Sequence, residues 1–455
     1  MLRLKGDPQL TFWDCLLPPE VTVLNEELSK VDRLLDDEQL LMPFIERFNT
    51  RMGRPTVPVE TYLRMMYLKF RYQLGYESLV QEVSDSIQWR RFCRIPLHES
   101  VPHSTTLIKL TKRYGPDTLK ELNELLIRRA RDKKLIRGRK LRVDTTVVEA
   151  DIRHPTDAGL LADGTRVITR IVKQIKAAGV AIRTGFRNRT RSVKKRILSI
   201  SKVLRRRAGN AYQEVRAITG DIMAITQATV ADAKRIIRNA KHYAWRKGCA
   251  KARRMAARLE QTVALTERII QQTQAVQEGN HSIPNRLVSL FDTGARPIRK
   301  GKVSKPTEFG RKVLLQETEE YIITGYEVYE GNPSDESLLS TALKRHKETF
   351  GQAPRAIATD RGFGSAKNER LLQEAGVKRI SLPRKGRLSA KRREYERQPW
   401  FKRLQRWRAG AEATIGLLKR KYGLRRSLFK GTEGTQAWVG FAIMAYNLKR
   451  LATLS

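Results

Sequence analysis

A mixed α/β fold, with a sheet flanked by helices and joined to two further helical regions, is predicted by three features of this 455-residue chain. Residues 1 to about 135 carry helical apolar spacing. The pattern then changes at "GRKLRVDTTVVEA", which is rich in β-branched residues and alternates as a strand does. A proline-free, arginine-rich helical pattern follows, up to about Gly279. From about residue 306 strands return, now alternating with helices, the order that covers a sheet on its faces. These changes predict an N-terminal helical domain over 1–135, an α/β domain split between 136–155 and 285–455, and a basic helical insertion over 156–284.

In the first region, "PVETYLRMMYLKFRY" places Leu63, Met66, Tyr67 and Phe70 on one side of a helix. A break at Gly75 and a second helix after Ser78, whose hydroxyl can cap it, are expected next. "SIQWRRFCR" sets Trp89 and Phe92 three residues apart beside Arg90, Arg91 and Arg94. The prolines of "IPLHESVPHSTT" end that helix, and Ser104 or Thr105 caps the following one. Short helices joined by tight turns and ending in arginines suit a helix-turn-helix-like DNA contact, and a plain helical bundle nearly as well.

The strand then puts Leu141, Val143, Thr145 and Val147 on one face and Asp144 on the other. The Pro/Asp/Gly-rich "DIRHPTDAGLLADGT" leads into the long helices of the insertion. After it, "RKVLLQETEEYIITGYEVYEGNPSD" reads as a hairpin and "ESLLSTALKRHKETFG" as a helix. "PRAIATD" is a short buried strand ending at Asp360, "SAKNERLLQEAG" a helix and "KRISLP" a last strand. Closing helices carry "RWRAGAEATIGLLKRKYG" and the apolar "AWVGFAIMAYNLKRLA".

The chain has 90 Lys and Arg against 47 Asp and Glu, a net charge of +43. An excess spread over the whole length predicts a polyanionic partner and argues against a small-molecule enzyme. The apolar run around Trp438 is too short to span a bilayer and the N-terminus lacks a signal-peptide core, so a membrane is not the expected polyanion. With 7% aromatics, the grip is expected on duplex phosphates more than on stacked bases. Cys15, Cys93 and Cys249 are scattered, and His98 and His103 have no cysteine near them, which predicts a reducing, cytoplasmic setting without structural zinc. The insertion's alternation of arginines and apolar residues suits an arm along DNA or a coiled-coil-like dimerisation element.

Three acids are the candidates for the chemistry. Asp144 lies in the first strand, Asp360 at the carboxyl end of a later one, and Glu412 on a closing helix. Residues at such strand ends converge in α/β sheets. Carboxylates gathered in so basic a protein call for divalent cations, and hard oxygen ligands favour Mg²⁺ or Mn²⁺ over zinc. Two ions in one active site, roughly 3.5–4 Å apart, activate an attacking oxygen and stabilise a leaving one. Arg408, Glu412 and Lys419 fall within about 40° of one another around their helix, so two cations flank one carboxylate. Glu149 and Asp151 are the substitutes for Asp144 in the first-strand region, and Asp292 reads as a loop residue.

These segments resemble bacterial insertion-sequence transposases of the DDE type, which have a ribonuclease-H-like catalytic core. "GRPTVPVETYLRMMYLKFRYQLGYESLVQEV" with "VPHSTTLIKL" is similar to the family's N-terminal helical domain. "LRVDTTVVEADI", "ATDRGFGSAKNERLL" and "RAGAEATIGLLKRKYGLRRSLFKG" resemble its three acid motifs, and "GNPSD" and "AYNLKRL" resemble adjoining segments. The spacing of Arg408, Glu412 and Lys419 matches the family signature. A tyrosine usual three residues before the arginine is replaced by Gln405. Asp360 and Glu412 are only 52 residues apart, the insertion having followed the first acid instead, so its role is not to be borrowed from the insertions in some large relatives.

The resemblance implies a DNA transposase that cleaves at the element's terminal inverted repeats and joins the freed 3′-hydroxyl to target DNA. Asp144 would then bridge two Mg²⁺ or Mn²⁺ ions, Asp360 and Glu412 would each hold one, and Arg408 and Lys419 would position phosphates. Two DNA ends imply a homodimer on DNA, acting in the bacterial cytoplasm at the nucleoid. The rival expectations are a non-catalytic DNA-binding protein derived from a transposase and a metal-dependent nuclease that cleaves without joining.

Overall fold

The N-terminal helical pattern becomes α1 (Pro19–Thr22), α2 (Glu26–Leu35), a 3₁₀ segment (Glu38–Arg47), α3 (Val59–Arg71), α4 (Tyr76–Asp85), α5 (Ile87–Phe92) and α6 (Ser104–Asp132). The computed structural model describes residues 1–6, 17–47, 55–206, 209–299 and 307–454. Two starts differ from the sequence expectation. Helix α4 begins directly after Gly75, because the Leu79 amide closes its first turn on the Gly75 carbonyl; Ser78 lies inside that turn. Helix α6 is capped by His103, whose Nδ1 accepts the Thr105 amide, while Ser104 is buried within the helix. Cys93 is buried and Cys249 half-buried, both free thiols, and Cys15 lies outside the described residues.

Strand β1 (Lys140–Ala150) follows. The chain then enters α7 (Asp157–Ala177), α8 (Thr190–Arg206), α9 (Ala211–Arg246), α10 (Ala250–Gln277) and a short strand β2 (Arg296–Arg299). Helix α7 starts inside the segment expected to be a loop. Thr156 caps it, and Gly164 is a packing residue: a Cβ there would lie 2.7 Å from Cγ2 of Thr266 on α10. The remaining elements are β3 (Thr307–Thr318), β4 (Ile323–Tyr329), α11 (Asp335–Phe350), β5 (Ala356–Thr359), α12 (Ala366–Glu374), β6 (Arg379–Ser381), α13 (Ala390–Arg397), α14 (Pro399–Lys421), β7 (Arg426–Ser427) and α15 (Gly431–Leu454). The sequence pattern missed β2 and β7, which at four and two residues are too short to show alternation.

The chain separates into two units, one of Met1–Asp151 with Gly310–Ser455 and one of Ile152–Phe309. The second is a bundle of α7 to α10 around Leu161, Ile168, Ile236, Leu259 and Ile269. In the first, the strands run β4-β3-β1-β5-β6, with β7 beside the far end of β1. β1 is antiparallel to β3 and parallel to β5, and β5 is parallel to β6. This is a mixed sheet of ribonuclease-H-like order. Leu141 and Val143 face α11 through Leu338, Leu339 and Leu343, forming one core layer.

The apolar run read near the C-terminus is α15, whose buried residues join the N-terminal helices to the sheet. Phe441 stacks on Phe70 of α3 at 5.4 Å, and Trp438 meets the same ring edge-on. On the sheet side, Asn447 acts as an extra strand. Its Oδ1 accepts the Ile323 amide at 3.0 Å and its Nδ2 donates to the Ile323 carbonyl at 2.8 Å, all buried. Asn447→Ala leaves both backbone groups unpaired and is expected to cost about 1–3 kcal/mol. Urea denaturation reads this directly, and an unshifted midpoint would refute it. No helix among the described residues is long and apolar enough to cross a membrane.

Candidate active site

Strand pairing brings the first two acids together. Val143 of β1 pairs in parallel register with Thr359 of β5, and the next residues along are Asp144 and Asp360. The two aspartates therefore occupy neighbouring positions on adjacent strands, which lie about 4.8 Å apart. Asp144 is buried, 8% exposed, and its Oδ1 accepts the Thr145 amide at 2.8 Å. Asp360 follows the last residue of β5, and its Oδ1 accepts the Gly362 amide at 2.9 Å.

Helix α14 supplies the third acid through an arginine. Nη2 of Arg408 donates to Asp144 Oδ2 at 2.9 Å, and Nη1 donates to Glu412 Oε1 at 3.4 Å. The Arg408 side chain is 16% exposed and that of Glu412 71%. The Nε of Arg408 is buried with no hydrogen-bond partner among the described residues, a donor left over at the centre of the site. Where the sequence expectation turned Arg408 toward phosphate, the structure holds its guanidinium between two carboxylates. Lys419 lies seven residues beyond Glu412, about 10 Å by helix rise, half-buried in the same helix.

Three contacts that no sequence pattern displayed hold these groups in place. Arg142, directly across from Glu317 on β3, makes a two-pronged pair with it at 2.8 and 2.7 Å, and both side chains are buried. The same guanidinium donates to the Trp407 carbonyl at 2.7 Å and lies over the Trp407 and Tyr321 rings. It thus ties β1 to α14 one residue before Arg408. Gly410 makes room for it, since a Cβ there would lie 2.8 Å from Arg142 Nη1. Burial pushes the Glu317 carboxyl up, against the opposing pull of Arg142.

Gln405 is the second contact. At the position where the resemblance implies a tyrosine, its Nε2 donates to the Ser381 carbonyl at 2.9 Å and Ser381 Oγ at 2.8 Å, and more distantly to the Thr359 carbonyl. It fastens α14 to the ends of β5 and β6, beside Asp360.

Asp335 is the third. It opens α11 from "GNPSD", accepting from Thr145 Oγ1 at 3.1 Å and from Lys312 Nζ at 3.0 Å. A Cβ on Gly362 would lie 2.7 Å from Asp335 Oδ2 and 2.9 Å from Asp360 Oδ1, so this glycine lets two carboxylates close on one point. Gly364 serves the same motif differently: a Cβ there would lie 2.0 Å from the Pro383 carbonyl oxygen. The glycines of "DRGFG" are thus explained by close approach.

The other candidate acids lie elsewhere. Glu149 and Asp151 face Arg426 at 3.8 and 3.9 Å, and Glu149 is five residues, about 16 Å, along β1 from Asp144. Asp292 is buried in a loop of the second unit.

The donor set suits a hard divalent ion, being carboxylate oxygen throughout. Among the described residues no three acidic, histidine or cysteine side chains are gathered closely enough to hold an ion as they stand. Asp144 and Asp360 fit as the adjoining pair, and Glu412 stands one guanidinium away.

A mixed sheet of this order, with Asp144 and Asp360 in neighbouring register on parallel strands and Glu412 on a covering helix, fits a ribonuclease-H-like DDE core. Residues 17–113 match the family described as "Transposase domain (DUF772)", and residues 289–448 match that described as "Transposase DDE domain". The chain belongs to the insertion-sequence DDE transposases, a family whose partner is DNA and which generally uses divalent metal ions. Asp144 falls between the two matched stretches, so its place at the site rests on strand register. A Rhizobium meliloti protein, "Uncharacterized protein ORF8 in nfe locus", is 29% identical over 144 residues, 30% of this chain and 68% of that protein. No solved structure matches the chain.

Proposed function

We propose that this transposase cleaves phosphodiesters at the terminal repeats of an insertion element and joins the freed 3′-hydroxyl to target DNA, with Asp144, Asp360 and Glu412 as its catalytic carboxylates. The observation that carries this reading is the adjacency of Asp144 and Asp360 across β1 and β5, with Arg408 linking Asp144 to Glu412. Two Mg²⁺ or Mn²⁺ ions held by these acids would activate the attacking oxygen and stabilise the leaving one. Arg408 brings a donor with no partner among the described residues, Nε, which suits a phosphate oxygen, and Lys419 supplies charge further along the same helix. Residues 1–135 are read as a DNA-recognition domain and 156–284 as a basic arm built into a catalytic domain of 136–155 and 285–455. Two element ends call for a homodimer on DNA, working in the cytoplasm where the chromosome lies.

Strand transfer with purified protein tests this, using a labelled duplex that carries the DNA flanking its own gene. Joined products that require Mg²⁺ or Mn²⁺ and vanish with chelator are expected. Cleavage without joining would move the assignment to a nuclease, and binding without either would move it to a DNA-binding protein.

A further inference from the structure

The second unit carries a basic pocket of about 390 Å³, where the loop after α7 packs on the end of α9. Both helices end there in left-handed glycine turns. Gly179 (φ 77°) follows α7, with the Val180 amide bonded to the Ile175 carbonyl; Gly248 (φ 59°) follows α9, with the Cys249 amide bonded to the Ala244 carbonyl. Arg183, His242, Arg246 and Lys247 line the pocket, and among the described residues no carboxylate does. Among the described residues Arg183, Arg246 and Lys247 have no ion pair. The nearby acids are already taken: Asp232 by Arg189 and Arg235, and Glu260 by Lys241.

Cations often sit at helix C-termini because the backbone there carries partial negative charge. That charge is only about half a unit per helix, so two helix ends offset one of the three unpaired cations. The remaining positive charge favours an anion. The polar floor is set, because Asn239 Nδ2 donates to Thr184 Oγ1 and Lys176 Nζ to the Thr184 carbonyl, each at 2.7 Å.

An aromatic beside the pocket narrows the choice of anion. Trp245 is 78% exposed, with its ring 6.1 Å from that of His242, and Ile182 on the pocket wall is 62% exposed. A large ring left in water next to unpaired cations suits a strand whose phosphate enters the pocket while its sugar or an end base lies on the ring.

We propose that this end of the insertion is a DNA-binding site, in which Arg183, Arg246 and Lys247 take a backbone phosphate and Trp245 packs on the adjoining nucleoside. The proposal rests on the transposase reading only in taking DNA as the polyanion; it is independent of the three acids.

The test is fluorescence anisotropy of a labelled duplex of about 40 base pairs with the full-length protein, over a series of KCl concentrations. Wild type is compared with the triple variant Arg183→Ala, Arg246→Ala, Lys247→Ala and with Trp245→Ala. Circular dichroism confirms that these exposed changes leave the helices intact. The triple variant is expected to bind at least about tenfold more weakly, with a log–log salt slope smaller by about 1, at roughly 0.9 per lost phosphate contact. Trp245→Ala should bind several-fold more weakly with the slope kept.

Unchanged affinity and slope in the triple variant would overturn the proposal while leaving the transposase reading intact. So would a loss confined to binding of anionic phosphatidylserine vesicles, which would assign the pocket to membrane surfaces. A wild-type protein that binds no duplex would overturn both.

Discussion

Asp144→Asn is expected to leave the protein folded and able to bind element ends, yet to slow cleavage and joining by at least about a thousandfold, some 4 kcal/mol of barrier. The amide keeps the shape of the carboxylate and can still accept the Thr145 amide, so β1 loses little. What disappears is the negative charge at the one position that adjoins Asp360 across the sheet and is also linked through Arg408 to Glu412. Single-turnover assays with a pre-cleaved end separate joining from cleavage. A second readout does not depend on turnover. Ion binding to the folded site raises the melting temperature by mass action, so saturating Mn²⁺ should stabilise the wild type and stabilise the variant much less. A variant that joins DNA at the parental rate would remove Asp144 from the catalytic set.

How much of this was legible in the sequence differs by element. β1 showed itself because Leu141 and Val143 feed one core layer while polar residues alternate between them. The long helices of the insertion showed themselves because their apolar residues recur on one face over many turns. The hairpin and the βα alternation after residue 306 were readable for the same reason. Helix starts were less so. A hydroxyl before a helix is a common cap, but at α6 an imidazole does that work, and at α4 the backbone turn at Gly75 makes a hydroxyl unnecessary.

The supports of the site were the least visible. Arg142 looks like one more cation in a chain of net charge +43, and its partner Glu317 lies 175 residues away, beyond the whole insertion. Only strand register places them opposite each other. Asp335 was quoted within "GNPSD" without a role, since its contacts to Thr145 and Lys312 come from three separate elements. One signal for Arg142 was available: a charged residue in the middle of a β-branched run, flanked by apolar neighbours, needs a buried partner of opposite sign.

That buried pair gives the largest stability effect expected in this chain. Arg142→Met should destabilise the protein by about 3–5 kcal/mol, because it leaves Glu317 almost wholly buried with Thr414 Oγ1 as its remaining donor. The pH dependence follows from the direction of the Glu317 shift. Burial already raises its carboxyl above the ordinary value, and without Arg142 nothing of comparable strength opposes that rise. Such a group contributes stability that is fully present below its unfolded value near 4.3 and lost as pH climbs through the raised folded value. The variant should therefore be further from wild type at pH 8 than at pH 5. Adding Glu317→Leu removes the stranded carboxylate, and the double variant should recover much of the loss and most of the pH dependence. It should not recover activity fully, because the Trp407 carbonyl still lacks its donor and α14, with Arg408 and Glu412, is no longer tied to β1 at that point. Urea midpoints at the two pH values, read beside joining rates, decide the matter. A single variant as stable as wild type, or a double variant no better than the single, would show that the pair is not what holds the acid-bearing helix on the sheet.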